Sequence, residues 1–282
     1  MRWKGRERSR NIEDRRGSGG GGKVIGGGIG VLVIAVIVYL LGGDPTQVLQ
    51  QAGELQQTTN ENYTPPAEEN EAEEFVAIVL KETERFWHQQ FSEMGKEYPE
   101  PVLVLFRSQV TTDCGGATSA SGPFYCPADQ KIYIDLSFYD ELHSRFGAPG
   151  DFAMAYVVAH EVGHHVQTVL GISDKVRVLK ERGSEKEANR LSVMQELQAD
   201  FFAGLWAHYA DRMHNLLEEG DIEEALNTAS AIGDDKLQKQ AQGYVVPDAF
   251  THGTSAQRMK WFYKGYTTGD ISQGDTYGAE DL

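Results

Sequence analysis

The sequence feature that most constrains the fold is an uncharged stretch of 18 residues that begins at Val24 and ends at Leu41. Its length is close to the ~20 apolar residues that a membrane-spanning helix needs, and we predict a transmembrane helix over residues 24–43. A cleaved signal peptide is the alternative, but no small-residue cleavage site follows Leu41. A buried helix of a soluble core is disfavoured because the stretch has no polar face.

The charge of the chain changes sign across this stretch. The whole chain carries 26 Lys and Arg against 42 Asp and Glu, which gives a net charge of −16. Residues 1–23 carry eight basic residues and three acids, whereas residues 44–74 carry eight acids and no Lys or Arg. Because basic flanks of membrane helices stay in the cytoplasm, we predict a single-pass protein with a cytoplasmic segment at residues 1–23. The rest of the chain then lies outside the cytoplasm, and the bilayer contacts residues 24–41.

Composition excludes several classes of protein. Nucleic-acid binding needs clustered Lys and Arg, which an acidic chain does not offer. Two cysteines cannot form a disulfide scaffold or a four-thiolate zinc site. A chain of 282 residues is long enough to bury a full core without such supports.

The polar chain after the apolar stretch divides into three parts. Residues 44–74 are rich in Gln and Glu and predict a flexible acidic stalk. In residues 75–266, apolar residues recur at the spacings typical of helices and of strands, which predicts one folded domain. Residues 267–282 are rich in Gly and Asp and predict a loose tail. The patterns predict helices at 75–94, 151–170, 185–213, 221–232 and 256–266, and strands at 102–106, 124–126 and 131–136.

The sharpest chemical motif is HEVGH at residues 160–164, in an apolar stretch that predicts a buried helix. Residues four apart on a helix share a face, so the imidazoles of His160 and His164 can bind one Zn²⁺. Glu161 then lies beside the metal rather than on it, where it can accept a proton from water. The alternative is a helix with two structural histidines, because short motifs also occur by chance. Unpartnered His and Glu are costly to bury, which favours the metal site.

A third ligand must come from another part of the chain. One class of zinc sites places a Gly and a third His further along the same helix, but those positions hold Gln167 and Leu170. Glu196 and Asp200 lie four residues apart on the next predicted helix, among large apolar residues. We predict that Glu196 binds zinc and that Asp200 orients the outer nitrogen of one His, more specifically His160. The alternative is an acidic pair on a solvated face.

These motifs resemble those of known peptidases. HEVGH followed by ELQAD at residues 196–200 is similar to the zinc peptidases whose third ligand is a Glu, the gluzincins. Three stretches resemble the bacterial family of predicted neutral zinc metallopeptidases: CGG and GPFYCP at 114–116 and 122–127, AYVVAHEVGHHVQ at 155–167, and THGTSAQR at 251–258. The resemblance covers roughly residues 97–269. It implies an α+β, zincin-like domain that is mostly helical with a small β-sheet, and one Zn²⁺ per chain.

Two further residues of these stretches are candidates for the site. A peptidase needs a donor for the oxyanion of its tetrahedral intermediate, and His252, in a Gly-containing loop, can serve as that donor. The alternative is that His252 and Arg258 organise the loop and the last helix through the active-site carboxylates. His165 points about 100° away from His164 on a helix, so we predict that it is not a ligand.

Cys114 and Cys126 are the only cysteines. An oxidising compartment outside the cytoplasm favours a disulfide between them, which would fix the chain before the strand predicted at 131–136. In the class of peptidases that the motifs resemble, this edge of the sheet accepts an extended peptide as an added strand. We therefore expect the substrate to bind there.

The sequence thus predicts a membrane-anchored zinc metalloendopeptidase of a bacterial cell membrane that hydrolyses proteins or peptides outside the cytoplasm. The alternative is a membrane-tethered binding or scaffolding protein whose zinc is structural. The two differ in Glu161, because a structural site does not need a carboxylate beside its two histidines and favours a fourth protein ligand.

Overall fold

The structure is a computed structural model that describes residues 1–17, 65–144, 146–148 and 150–282. The predicted transmembrane helix at 24–43 lies outside the described residues, as does the predicted stalk up to residue 64. The helices within the described ranges are α1 (Ala67–Glu93), α2 (Phe138–Ser144), α3 (Asp151–Val169), α4 (Ile172–Arg182), α5 (Glu185–Arg212), α6 (Asp221–Ala231), α7 (Asp234–Gln242) and α8 (Ser255–Thr268). The strands there are β1 (Ile12–Asp14), β2 (Val102–Phe106), β3 (Gln109–Thr112), β4 (Gly115–Thr118), β5 (Phe124–Cys126) and β6 (Lys131–Asp135).

No helix in these ranges is both long enough and apolar enough to cross a membrane.

A four-stranded sheet of order β1–β2–β6–β5 forms one layer of the domain. β1, β2 and β6 run parallel, and β5 pairs antiparallel with β6 across a short turn. Four of the five β2 side chains are buried, as expected of a continuous apolar strand in the interior of a sheet. β3 and β4 form a separate hairpin. The structure confirms the predicted mixture of helices with a small sheet.

Three helices, α3, α5 and α8, form the centre of the domain, and glycines let them approach closely. A β-carbon at Gly163 of α3 would lie 3.1 Å from the backbone of Ala199 in α5. A β-carbon at Gly204 of α5 would lie 2.0 Å from the carbonyl oxygen of Phe262 in α8. The glycine of the HEVGH motif therefore permits the contact that brings α5 against the two histidines.

Residues 1–17 belong to the same folded unit as the domain, which differs from the predicted separate segment at residues 1–23. Trp3 is buried, and its indole N–H donates to Asp151 at the start of α3 over 3.1 Å. The backbone N–H of Ser9 donates to the carbonyl of Ala77 in α1 over 2.9 Å. Sequence reasoning missed β1 because it has three residues, two of them charged, and carries no apolar period.

The structure also moves both predicted ends of the domain. α1 begins at Ala67, inside the predicted stalk, because the acidic residues that suggested disorder suit the first turn of a helix. The predicted loose tail at 267–282 is packed: a 3₁₀ turn forms at Ile271–Gln273, and Thr276 is fully buried. The hydroxyl of Thr276 donates to the carbonyl of Met194 in α5 over 2.7 Å. Helices α2, α4 and α7 were not predicted either.

Candidate active site

The two histidines of HEVGH lie on the face of α3 that meets α5. His160 is buried and His164 is nearly so, and their ring centroids are 4.8 Å apart. Glu196 of α5 faces both rings: its two oxygens lie 3.2 Å from Nε2 of His160 and 3.4 Å from Nε2 of His164. Ligand atoms of the three residues all lie within 4.8 Å of one another. The structure thus brings together the three side chains that the sequence assigned to the metal.

Asp200, one turn beyond Glu196, supports His160 from behind. Its Oδ1 lies 2.8 Å from Nδ1 of His160, so the Nε2 atom faces Glu196. Arg258 of α8 donates to both Asp200 oxygens, over 2.8 and 2.9 Å, and the Tyr156 hydroxyl donates to Oδ1 over 2.5 Å. Burial alone would raise the pKa of Asp200, but Arg258 and His160 lower it to about 2. The carboxylate therefore stays ionised and holds one ring orientation of His160.

His164 has a different support, which sequence reasoning missed. Its Nδ1 lies 3.0 Å from the side-chain oxygen of Gln167, one turn further along α3. The Gln167 amide donates to the carbonyl of Gln195 over 2.7 Å and to the side chain of Gln198 over 3.2 Å. Gln198 in turn donates to the carbonyl of Gly274 in the C-terminal segment over 2.9 Å. The sequence already drew attention to this position, because Gln167 stands where the sites with a third His on the same helix have a Gly.

Glu161 is on the side of α3 that packs against β5. Its side chain is buried, and burial raises its pKa above the usual value of a glutamate. The backbone of Tyr125 in β5 is close enough to the Glu161 carboxylate to partly offset this rise in its pKa. Among the described residues, β5 has a strand partner on one side alone, β6. The edge of the sheet that is open to an added strand therefore faces the candidate base.

His165 points away from the metal position and joins α3 to the sheet. It is fully buried, its Nε2 donates to the carbonyl of Pro99 over 2.7 Å, and its Nδ1 lies 3.2 Å from the Tyr125 hydroxyl. Burial lowers the pKa of His165, so the ring stays neutral and can accept from Tyr125. In this way His165 positions β5 relative to the motif.

His252 lies on the loop before α8 and lines the same cleft as the metal ligands. Its Nδ1 lies 3.2 Å from Asp234, the first residue of α7, a partner that the sequence did not reveal. The second Asp234 oxygen accepts the backbone N–H groups of Thr251, His252 and Gly253 over 2.7, 2.7 and 3.1 Å. The hydrogen bond with Asp234 raises the pKa of His252. The loop is thus fixed by one carboxylate, and the ring remains about half exposed to the cleft.

The cleft in front of these residues has a volume of about 1130 Å³. Its walls come from β5 and the turn after it, from helices α2, α3, α4, α5 and α7, and from the loop that holds His252. Apolar side chains on these walls include Phe124, Phe138, Val157 and Leu237.

The donor set fits zinc with an open coordination position. Two imidazole nitrogens and one carboxylate are a ligand set of catalytic zinc sites, which leave one position for water or substrate. Among the described residues, three side chains and not four form this cluster. The outer nitrogens of both histidines are held by Asp200 and Gln167, as expected of metal-binding imidazoles. Glu161 remains outside the cluster, beside it.

The disulfide between Cys114 and Cys126 is present in the structure. It ties the hairpin of β3 and β4 to the last residue of β5. Since β5 borders the cleft, the bond holds one wall of the candidate site in place.

A cluster of two His and one Glu on two packed helices, with a further carboxylate beside it, is the arrangement found in zinc-dependent hydrolytic sites. The family assignment is more specific. The family described as "Putative neutral zinc metallopeptidase" matches residues 1–277, and the chain belongs to this family. The match includes residues 1–17, which agrees with their packing on the domain.

Two relatives show how far the similarity extends. A protein of Escherichia coli strain K12, "Uncharacterized protein YpfJ", is 50% identical over 287 residues, which are 99% of each chain. A protein of Mycobacterium tuberculosis strain H37Rv, "Uncharacterized protein Rv2575", is 45% identical over 195 residues, or 66% of this chain and 65% of that protein. No solved structure gives a significant match.

Proposed function

We propose that the protein is a zinc-dependent endopeptidase. His160, His164 and Glu196 would hold the metal, which when bound supplies a Lewis acid for the scissile carbonyl. The observation that carries the proposal is the position of Glu161, a buried carboxylate beside the three ligands that forms no ion pair with an arginine or lysine of the described residues. A site that used zinc for structure alone would have no use for this residue.

Each of the remaining residues has a role in this reaction. Glu161 accepts a proton from the attacking water and passes it to the leaving amine. Its raised pKa suits the first half of this transfer, since the carboxylate is a stronger base than an exposed one. His252 donates to the oxygen of the tetrahedral intermediate, with Asp234 holding its ring. Asp200 and Gln167 keep the two metal-binding rings in one orientation.

The substrate would be an extended peptide that adds to the sheet at β5. The free edge of β5 faces Glu161, and the cleft runs beside it. Backbone hydrogen bonds to a strand edge recognise any extended chain, while the apolar walls select large side chains. The acidic net charge further favours basic peptides.

We further propose that the domain acts outside the cytoplasm. The Cys114–Cys126 disulfide supports this location, because disulfides persist in oxidising compartments. Contact of residues 24–41 with a bilayer stays a prediction from the sequence.

The decisive experiment compares wild-type protein with Glu161→Gln. We expect the variant to retain about one zinc per chain by elemental analysis and to lose hydrolysis of an unfolded protein substrate by 100-fold or more. Glu181→Gln is the matched control, since Glu181 lines the same cleft but pairs with Arg177 at the surface. Unchanged hydrolysis in Glu161→Gln would reject the base, and absence of hydrolysis in zinc-loaded wild type would reject the peptidase.

A further inference from the structure

Residues 1–17 and the domain are joined by strand pairing, which would be impossible if the chain crossed a membrane once between them. The sequence alone places residues 1–23 in the cytoplasm and the domain outside. In the folded chain, however, β1 pairs with β2 in parallel, with Ile12 opposite Leu103 and Asp14 opposite Leu105. The N–H of Leu103 donates to Asn11 over 2.8 Å, and the N–H of Arg15 donates to Leu105 over 2.8 Å. A chain that crossed a bilayer once between residues 17 and 65 could not make these bonds.

The interior of the domain depends on this pairing. Leu103, Val104 and Leu105 of β2 are fully buried, and β1 covers the strand edge that β6 leaves open. Without β1, β2 would present an apolar strand edge with unpaired backbone groups to solvent. Edges of this kind promote aggregation and are normally covered. Residues 1–17 therefore complete the sheet.

Two buried carboxylates of α1 also contact residues 1–17. Glu84 is 1% exposed; besides its ion pair with Lys81 of the same helix over 2.9 Å, it accepts from the Ser9 hydroxyl over 2.5 Å and from the Asn11 amide over 2.8 Å. Glu82 is equally buried and pairs with Arg6 over 3.4 Å, in addition to Arg85 of the same helix over 2.7 Å. Removal of these partners would leave buried charges with fewer hydrogen bonds, which is strongly unfavourable.

Several of the basic residues that suggested a cytoplasmic flank are paired with acids of the domain. Lys4 pairs with Glu71 over 2.8 Å and Arg8 with Glu74 over 2.5 Å. The guanidinium of Arg16, which is almost fully buried, pairs with Glu73. The change of charge sign in the sequence is thus matched by ion pairs within the fold, and it need not report the side of a membrane.

We propose that residues 1–17 and residues 65–282 lie on the same side of any membrane that the chain contacts. The N-terminal segment is a part of the peptidase domain, and residues 24–41 do not separate the two. The proposal does not depend on zinc or on hydrolysis, so it stands or fails independently of the proposed function.

The first test compares the accessibility of two introduced cysteines in the full chain. Glu7→Cys reports residues 1–17 and Lys186→Cys reports the domain, since both side chains are mostly exposed. Each variant is expressed in bacteria and treated in intact spheroplasts with a membrane-impermeant maleimide, with lysed cells as the measure of full labelling. Equal accessibility of the two positions supports the proposal. Labelling of one position with protection of the other overturns it.

The second test detects the packing of residues 1–17 against α1 in the full-length protein, whether that protein is membrane-associated or soluble. The Glu7 carboxylate lies 2.6 Å from Arg85 of α1, so Glu7→Cys with Arg85→Cys should be joined by a short bifunctional maleimide. A protease site introduced between residues 44 and 64 then shows whether the two fragments stay linked. The matched control is Glu7→Cys with Lys186→Cys, because Lys186 contacts Asp248 rather than residues 1–17. Separation of the fragments in the Glu7–Arg85 pair to the level of the control overturns the proposal.

Discussion

Asp200 Oδ1 lies 2.8 Å from His160 Nδ1, while both oxygens of the same carboxylate accept from Arg258. One residue thus connects the metal-binding face of α3 to α8, across α5. Asp200 and Arg258 are both buried, so the charge of each one is compensated by the other.

Asp200→Asn should weaken both zinc binding and the fold. We expect zinc affinity to fall about 10- to 100-fold, because His160 loses the carboxylate that orients its ring. The free energy of unfolding should fall by about 3–5 kcal/mol, since Arg258 is left as a buried charge with a neutral partner. Chelator competition and thermal denaturation measure the two effects. Asp211→Asn, a half-buried acid on the same helix, is the control, and an equal loss of zinc affinity there would refute the assignment.

Glu196→Gln should remove most of the bound metal. The amide cannot supply the negative charge that helps to retain Zn²⁺ between the two histidines. We expect well under half a zinc per chain after dialysis, measured by elemental analysis, with little change in helix content. Glu185→Gln lies on the same helix in an exposed position and should retain full zinc. Full metal content in Glu196→Gln would show that another group is the third ligand.

Asp234→Asn should change the pH dependence of hydrolysis. Asp234 holds Nδ1 of His252, so Nε2 carries a donor proton when the ring is protonated. Because Asp234 raises the pKa of His252 above its usual value of 6.5, the donor persists to higher pH in the wild type. The alkaline limb of kcat/KM should therefore move to lower pH in Asp234→Asn. An unmoved limb, with Asp248→Asn as the control, would argue against His252 as the oxyanion donor.

Gln167→Leu should lower zinc affinity through His164. The variant removes the acceptor 3.0 Å from His164 Nδ1 and also the bonds to Gln195 and Gln198. We expect about a 10- to 100-fold loss of affinity, in the range typical of residues that orient metal ligands. Gln198→Leu breaks the chain one link further from the metal and should have a smaller effect. Equal affinities in Gln167→Leu and wild type would leave Gln167 with a packing role alone.

The disulfide should contribute to stability more than to the chemistry. Replacement of Cys114 and Cys126 by Ser opens a short loop, for which the chain-entropy model gives about 3 kcal/mol. We expect a lower Tm in the double variant, measured by calorimetry, with the zinc content unchanged. A Tm equal to that of the wild type would indicate that the hairpin and β5 are fixed by other contacts.

Local patterns were sufficient for the parts of the site that lie within single helices. HEVGH and ELQAD each place their side chains by the helical repeat, and the apolar neighbours predict that the two faces are buried. Ends of helices have local signals of the same kind: Ser184 and Glu187 form a capping box at the start of α5. Gly171 after α3 has a φ of 72°, a left-handed conformation that favours glycine beyond the end of a helix.

Contacts between segments that are distant in sequence could not be predicted from local patterns. Asp234 meets His252, and Gln198 meets Gly274, through loops whose paths depend on the whole fold. The pairing of β1 with β2 is of the same kind, because no local pattern in three residues specifies a partner some 90 positions away. The acidic partners of the N-terminal basic residues on α1 are also distant in sequence. The sequence therefore did not reveal these ion pairs, and the basic residues were interpreted as a membrane flank.

Because β1 pairs with β2, this part of the sheet can form during synthesis only after β2 has been made. β1 leaves the ribosome before the strand that it pairs with, which is completed only at Phe106. At translation rates of about 5–20 residues per second, β1 waits on the order of 5–20 s for its partner. The backbone N–H of Arg2 waits longer, because it donates to the carbonyl of Leu216. The segment that holds Arg2 and β1 is therefore made well before its partners, and it reaches its final place only after Leu216 has been added.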